Sequence, residues 1–177
     1  MIETERLILR GWMESDKLPF HAMCNDPAVM EYLGPVMNVT EIDAAIDRQN
    51  GLLDALGHCF WAIERTADRR FLGFCGIKPG PLGTPIEGRM EIGWRLAAEH
   101  WGRGYAREAA EACLDWAWQR DAIDGVWAIT VEGNRRSWRL MERLGMVRRP
   151  DYDFVHPQPG LADWLRPHIT YSIGRTS

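Results

Sequence analysis

Apolar residues recur along this chain at two spacings, every second position or every third to fourth, and the switches between them mark strands and helices. Leu7, Ile8 and Leu9 lie between polar Arg6 and Arg10 and predict a short strand. A helical stretch follows from Glu14 towards Asn25, and Asp26-Pro27 starts a new segment. Thr40, with acidic Glu41 and Asp43 behind it, is the expected cap of a helix whose Ile42, Ala45, Ile46, Leu52, Leu53 and Leu56 keep roughly helical spacing. Gly57 closes that helix. Cys59 to Arg65 and Phe71 to Lys78 read as a hairpin around the polar turn Thr66-Ala67-Asp68-Arg69. The turn-rich run Pro79 to Pro85 then leads to a strand from Arg89 to Leu96, with Met90, Ile92 and Trp94 on one face.

Past Trp101 the pattern changes character. Gly102 and Gly104 introduce an unbroken helical run, Tyr105 to Arg120, followed by the strand Val126 to Val131, so strand, glycine turn, helix and strand form a βαβ unit. Asn134 caps a last long helix that ends at Gly145, and a proline-rich segment leads to a final strand, His168 to Gly174. No repeat, low-complexity tract or linker divides the chain, so residues 1–177 read as a single domain of mixed α/β type.

Composition narrows the class. At 46% apolar and 26% charged residues, the chain is too apolar and too weakly charged to be globally disordered. Its net charge of −4 has the wrong sign for a protein held mainly to nucleic acid or to an anionic membrane. No stretch approaches the roughly 20 apolar residues of a membrane span, and Met1 to Arg6 lacks the form of a secretory signal. A cytoplasmic protein is expected, and without secretion the sequon Asn38-Val39-Thr40 leaves Thr40 to its role as a cap. Cys24, Cys59, Cys75 and Cys113 form no CxxC pair and have no His at ligand spacing, which predicts four unbridged, mostly buried thiols and no metal site.

The densest chemical signal is Trp101-Gly102-Arg103-Gly104-Tyr105-Ala106, between a strand and a helix. Glycines let backbone approach a ligand closely, and the free N–H groups of a helix's first turn favour a phosphate. Neither GxxxxGK[ST] nor a GxGxxG after a strand is present. Read alone, the segment is also consistent with a plain glycine turn entering a helix. Between Glu132 and Arg149, however, six Arg (135, 136, 139, 143, 148 and 149) face two Glu, a local +4 that leaves −8 for the rest. That cluster reads either as a solvated helix face or as the complement of a ligand with several phosphates.

Glu91-Ile92-Gly93-Trp94, then Trp101 to Ala106, then Asn134-Arg135-Arg136-Ser137 running to Leu144-Gly145-Met146, resemble the strand, pyrophosphate turn and Asn-helix of the GCN5-related N-acetyltransferase (GNAT) superfamily. The opening Glu3-Thr4-Glu5-Arg6-Leu7 is similar to that of its RimJ/RimL-type branch. The resemblance implies a twisted, mostly antiparallel sheet, splayed between its fourth and fifth strands and flanked by about four helices, with acetyl-CoA in the splay. Gly102, Arg103, Gly104, Tyr105 and Ala106 would then present N–H groups to the pyrophosphate. Trp101 stands where many members have a polar residue. Trp94, Arg95 and Leu96 would pair edge-on with the pantetheine arm, since an open strand edge offers unpaired backbone groups. Asn134 and Ser137 would contact the same arm.

Acetyl transfer to an amine needs a base, because the nucleophile is mostly protonated at neutral pH. It also needs oxyanion donors, which backbone N–H groups at the splay can supply. Glu91 is the leading base, through water, or else a structural carboxylate; Glu87 and His156 are weaker candidates. Many members carry a thiolate-protonating Tyr where this chain has Met141, and Ser137 is the hydroxyl that could replace it. The expected activity is acetyl-CoA-dependent N-acetylation of a primary amine in a ternary complex, the acceptor being a protein N-terminus or a small molecule. The alternative is a non-catalytic CoA-binding module of the same fold. The stretches Asn25 to Asn38 and Pro150 to Pro167 would wall the acceptor site, with Tyr32, Phe154, His156 and Trp164 as its candidate side chains. Pairing as a homodimer is left open.

Overall fold

A computed structural model describes residues 1–175, which form one sheet with helices on both faces. Residues 176–177 of the expected domain lie outside the described residues. Nine strands make up the sheet: β1 (Ile2–Glu3), β2 (Leu7–Arg10), β3 (Phe60–Arg65), β4 (Phe71–Pro79), β5 (Met90–Leu96), β6 (Gly125–Val131), β7 (Val147–Arg148), β8 (Phe154–Val155) and β9 (Pro167–Gly174). Their order is β1-β2-β3-β4-β5-β6-β9-β7, with β8 also paired to β9. Every pair is antiparallel except β5 with β6. That parallel junction is the βαβ unit, because antiparallel neighbours can be joined by a hairpin whereas parallel ones need a crossover.

Five helices pack on the sheet: α1 (Lys17–Cys24), α2 (Pro27–Met30), α3 (Val39–Leu56), α4 (Tyr105–Trp118) and α5 (Arg135–Arg143). The count exceeds the expected four by α2, a single turn that Asp26 caps by accepting from Ala28 N–H. The stretch from Glu14 begins as a 3-10 turn, Glu14–Asp16, and becomes α-helical only at Lys17. Thr40 does not cap α3. Asn38 does, its Oδ1 accepting from Glu41 N–H at 3.0 Å while the Glu41 carboxylate accepts from Asn38 N–H at 2.8 Å. This reciprocal capping box starts the helix one residue before Thr40 and places Thr40 inside the first turn.

Helix α4 covers one face of the sheet. Its Ala109, Ala110, Cys113 and Ala117 are buried against Trp61, Ile63, Leu72, Cys75, Ile77 and Ile92, small residues that let helix and sheet approach closely. Cys113 Sγ rests 3.8 Å from Cys75 Sγ, and burial pushes the Cys59 thiol up to about 12, so these sulfurs behave as buried apolar groups. The opposite face carries α1, α2 and α3 through Phe20, Met23, Val29, Met30, Ile42 and Ile46, packed on Trp12 and Ala62. A buried ionic node pins that layer to the sheet: Arg10 donates to Asp16 at 2.7 and 3.0 Å and to Glu64 at 2.7 Å.

Register decides which residues share this second face. Lys78 pairs Glu91, Glu91 pairs Trp127, and Trp127 pairs Ser172, so these four form one row across the sheet. His168 and Phe154, mutually paired, and Val131, which pairs His168, follow on the same face.

The cap assignment is testable. Asn38→Ala should destabilise the protein by about 1 kcal/mol, and Thr40→Ala by less than about 0.5 kcal/mol. Urea unfolding of the two variants measures both, and the reverse order would put the helix start back at Thr40.

Candidate active site

Strand β5 pairs β4 along its whole length, from Met90 to Leu96, but pairs β6 only through Met90 with Val126 and Glu91 with Trp127. From Ile92 onward the β6-facing edge of β5 is therefore open, and β6 turns away to pair β9 from Gly125 to Val131. Counted without the two-residue β1, this is the opening expected between the fourth and fifth strands. Trp94, Arg95 and Leu96 lie along the open edge. The Trp94 side chain packs against the α4 core, whereas Arg95 lies on the other face, its Nη1 3.2 Å from Cys24 Sγ and its guanidinium 5.4 Å from the Phe74 ring centre. The Leu96 carbonyl accepts from Trp101 Nε1 at 2.8 Å. Trp101 is thus a brace for the chain leaving the strand, its one polar atom already used.

The glycine turn follows. Gly102 has φ +73° with nothing within 4 Å of where a side chain would begin, and Gly104, the N-cap of α4, has φ +82°. Both conformations favour glycine. The first intrahelical bond runs from Glu108 N–H to the Gly104 carbonyl, so the N–H groups of Tyr105, Ala106 and Arg107 have no acceptor within the helix. Exposed Arg103 adds a cation, and Arg136 of α5 stacks on Trp101 at 4.5 Å. Asn134 caps α5 by accepting from Ser137 N–H at 3.3 Å, which leaves the Ser137 hydroxyl uncommitted among the described residues. A groove of about 460 Å³ lined by Glu132, Gly133, Arg135, Trp138 and Arg139 runs past this helix end. The donor set fits an acidic, extended, amide-bearing ligand such as CoA: free helix N–H groups and Arg side chains at one end of an unpaired strand edge.

Glu91 lies where the two halves of the sheet still touch. It is buried, and its Oε2 accepts from Lys78 Nζ on the neighbouring strand. Burial pushes the carboxyl above its usual range, against the pull of Lys78. Lys78 in turn sits 4.9 Å over the Phe60 ring. Glu87 is exposed and accepts from Gly83 N–H at 2.7 Å, a loop contact. Met141 is 2% exposed within the α4 core and has no proton to give.

Tyr32 and His156 line one cavity of about 80 Å³, together with Leu33, Ile129, Thr130, Gln158, Leu161, Leu165 and His168. Phe154 and Trp164 border it through ring contacts: Trp164 lies edge-on to Tyr32 at 6.3 Å, and Phe154 stacks on His168 at 5.5 Å. The structure therefore gathers residues from both expected acceptor walls. His168 is the member that sequence reasoning missed, since it lies at the start of β9 just after Pro167 and its register with Phe154 is not visible in the sequence. Its centroid is 4.8 Å from that of His156. His168 Nδ1 lies 3.0 Å from the Arg166 carbonyl, which can only accept, so the neutral ring carries its hydrogen there. His156 Nδ1 accepts from Gln158 N–H at 3.2 Å, which puts its hydrogen on Nε2.

Both imidazoles are held below the ordinary His range, mainly by burial; for His156 the neighbouring His168, Lys78 and Arg166 add to it. A group with a depressed cationic pKa takes up its proton more readily in the unfolded chain, so stability is complete above the unfolded value of about 6.5 and falls as pH drops below it. A His156→Gln/His168→Gln variant should lose less melting temperature than the wild type between pH 7 and pH 5. Parallel melting curves across that range check this, and identical slopes would refute it.

A family model described as an acetyltransferase (GNAT) domain matches residues 6–147. The Bacillus subtilis (strain 168) protein named uncharacterized protein YkkB is 31% identical over 169 residues, 95% of this chain and 92% of that protein. A GNAT-family acetyltransferase of Bacillus anthracis superposes with a TM-score of 0.80 at 23% identity, over 98% of this chain and 97% of the other. Spermidine N-acetyltransferase from Vibrio cholerae, in complex with CoA and spermine, gives 0.72 at 17% identity over 97% and 95%. At such identities the two structures show a shared fold. The strand opening, the glycine turn and the family match across most of its length agree: the chain belongs to the GNAT acetyltransferase family.

Proposed function

We propose that the protein moves an acetyl group from acetyl-CoA to a primary amine by direct attack in a ternary complex, as a RimJ/RimL-type N-acetyltransferase. The observation that carries this reading is the opening between β5 and β6, with free helix N–H groups at its wide end and a buried carboxylate, Glu91, where it closes. Acetyl-CoA supplies the activated thioester. The chain supplies the rest. N–H groups of the Gly102 to Ala106 turn hold the diphosphate, the open edge at Trp94, Arg95 and Leu96 receives the amide-bearing arm, and Asn134 and Ser137 flank it.

Glu91 takes the amine proton, directly or through water. Its raised carboxyl suits that role, because a base works best when its pKa lies near the working pH. Ser137 Oγ–H is the donor towards the departing sulfur, and since a thiol titrates near 8.5 this assistance is dispensable. Tyr32, Phe154, His156 and Trp164 border the acceptor, whose identity lies among primary amines.

The buried Met141 favours a second reading, a CoA-binding module without turnover. A thiol-release assay with a panel of amines separates the two. Acceptor-dependent release supports the enzyme; release that never exceeds background hydrolysis supports the module.

Two further results are expected. Gly104→Val should weaken acetyl-CoA binding by at least about tenfold in calorimetry, because a side chain at φ +82° strains the helix N-terminus that receives the diphosphate. Unchanged affinity in a folded variant would remove the turn from the site. Glu91→Gln should lower turnover by roughly 10²- to 10⁴-fold with acetyl-CoA affinity nearly intact, the deficit shrinking at high pH where more amine is already neutral. The same substitution strips Lys78 of its partner and should lower the melting temperature. Adding Lys78→Met should restore stability but not turnover, and a double variant that regains turnover would reduce Glu91 to a structural role.

A further inference from the structure

The opening segment carries a polar cluster that no role above uses. Thr4 and Arg6, just ahead of β2, reach the first turn of α4, and Arg6 and Glu108 meet across 102 positions of sequence. Arg6 Nε and Nη2 lie 2.7 and 2.5 Å from Glu108 Oε2. Arg6 N–H donates to Glu108 Oε1 at 3.0 Å, and the Thr4 hydroxyl donates to the same oxygen at 2.6 Å. The guanidinium also lies 4.7 Å from the Tyr105 ring centre, and its Nη1 donates to the Arg103 carbonyl at 3.1 Å. Arg103 and Tyr105 both belong to the glycine turn. Thr66 fixes the segment from behind, its N–H and hydroxyl donating to the Arg6 carbonyl at 3.0 and 3.1 Å.

Two consequences follow from ordinary peptide chemistry. The Arg103 carbonyl and the Gly104 N–H share one rigid, trans peptide plane, so holding the oxygen at Arg6 sets the direction of that N–H. Glu108, meanwhile, is an anion one helical turn from the N-terminus that is meant to attract a second anion. Burial pushes its carboxyl up, but its bonds to Thr4 and Arg6 outweigh this and hold it below the usual range, so it is charged at neutral pH. Left alone, that charge would repel a diphosphate within the screening distance of about 8 Å at physiological salt.

We infer that Arg6 is a positioning residue for diphosphate binding: it sets the Arg103-Gly104 peptide and cancels the charge of Glu108 beside the N-terminus of α4. The inference rests on reading this turn as the acetyl-CoA site.

The test uses the full chain as wild type, Arg6→Gln, Glu108→Gln and the double variant, each checked for a cooperative melt. Amide hydrogen exchange without ligand reads the peptide-setting role, and CoA affinity by calorimetry at low and high salt reads the charge-cancelling role. In Arg6→Gln the Glu108 amide, whose bond to the Gly104 carbonyl closes the turn, should exchange faster, and CoA should bind about tenfold more weakly at low salt and less so at high salt. The double variant should regain most of that affinity, because the uncovered carboxylate is gone. An Arg6→Gln variant with wild-type exchange at the turn and wild-type affinity would overturn the inference. A double variant as weak as Arg6→Gln alone would overturn its electrostatic half. If the wild type binds no CoA, the acetyl-CoA reading fails, and the exchange data still decide whether Arg6 sets the turn.

Discussion

Two parallel residue pairs, Met90 with Val126 and Glu91 with Trp127, join the halves of the sheet, and the location of the site depends on where that pairing stops. Each half is complete without it: β5 is satisfied by β4 on one side and β6 by β9 on the other. The halves can therefore part from Ile92 onward while leaving only one edge of each central strand unpaired. An unpaired edge is ordinarily a liability, because it recruits any extended chain that offers matching amides. Here its side chains reach both layers, Trp94 packing on the α4 side and Arg95 reaching Cys24 on the other, and an extended ligand that carries amides of its own would match its unpaired groups.

Charge follows the same economy of placement. The arginine-rich stretch from Glu132 to Arg149 stands out in an acidic chain, yet its members do different work once folded. Arg148 is paired with Asp153, and Arg149 donates to the Ser172 hydroxyl at 2.8 Å. Arg136 lies on Trp101 beside the glycine turn, and Arg135 and Arg139 line the groove past the start of α5. The cluster thus divides by position: Arg148 and Arg149 brace the fold, while Arg135, Arg136 and Arg139 stand beside the groove and the glycine turn.

The elements were legible wherever the apolar pattern was long or glycine marked a turn. The hairpin of β3 and β4, the helix after Gly104 and the Asn134 cap all stand where local chemistry put them. The cap of α3 was misread because a threonine ahead of acidic residues and an asparagine two places earlier both satisfy the local rule; only the reciprocal bonds between Asn38 and Glu41 choose between them. The cross-strand neighbours were hidden for another reason. Lys78 beneath Glu91, and His168 beside Phe154, are matters of register between distant segments, and no local pattern records register. The same holds for Arg6, whose partner Glu108 stands in a different part of the chain altogether.

That separation also bears on how the molecule assembles. Contacts between residues far apart in sequence carry a larger loop-closure cost than local ones and so tend to lag behind them during folding. Helix α4 and its glycine turn form from neighbouring residues, but the brace across 102 positions waits for the β2–β3–β4 layer that carries Arg6 to its place. On the other side of the opening, β6 finds its antiparallel partner only in the last strand, β9. The two walls of the cleft are therefore finished at different times, and a chain interrupted between α4 and β9 holds the β5 wall with its brace but lacks the completed β6 wall.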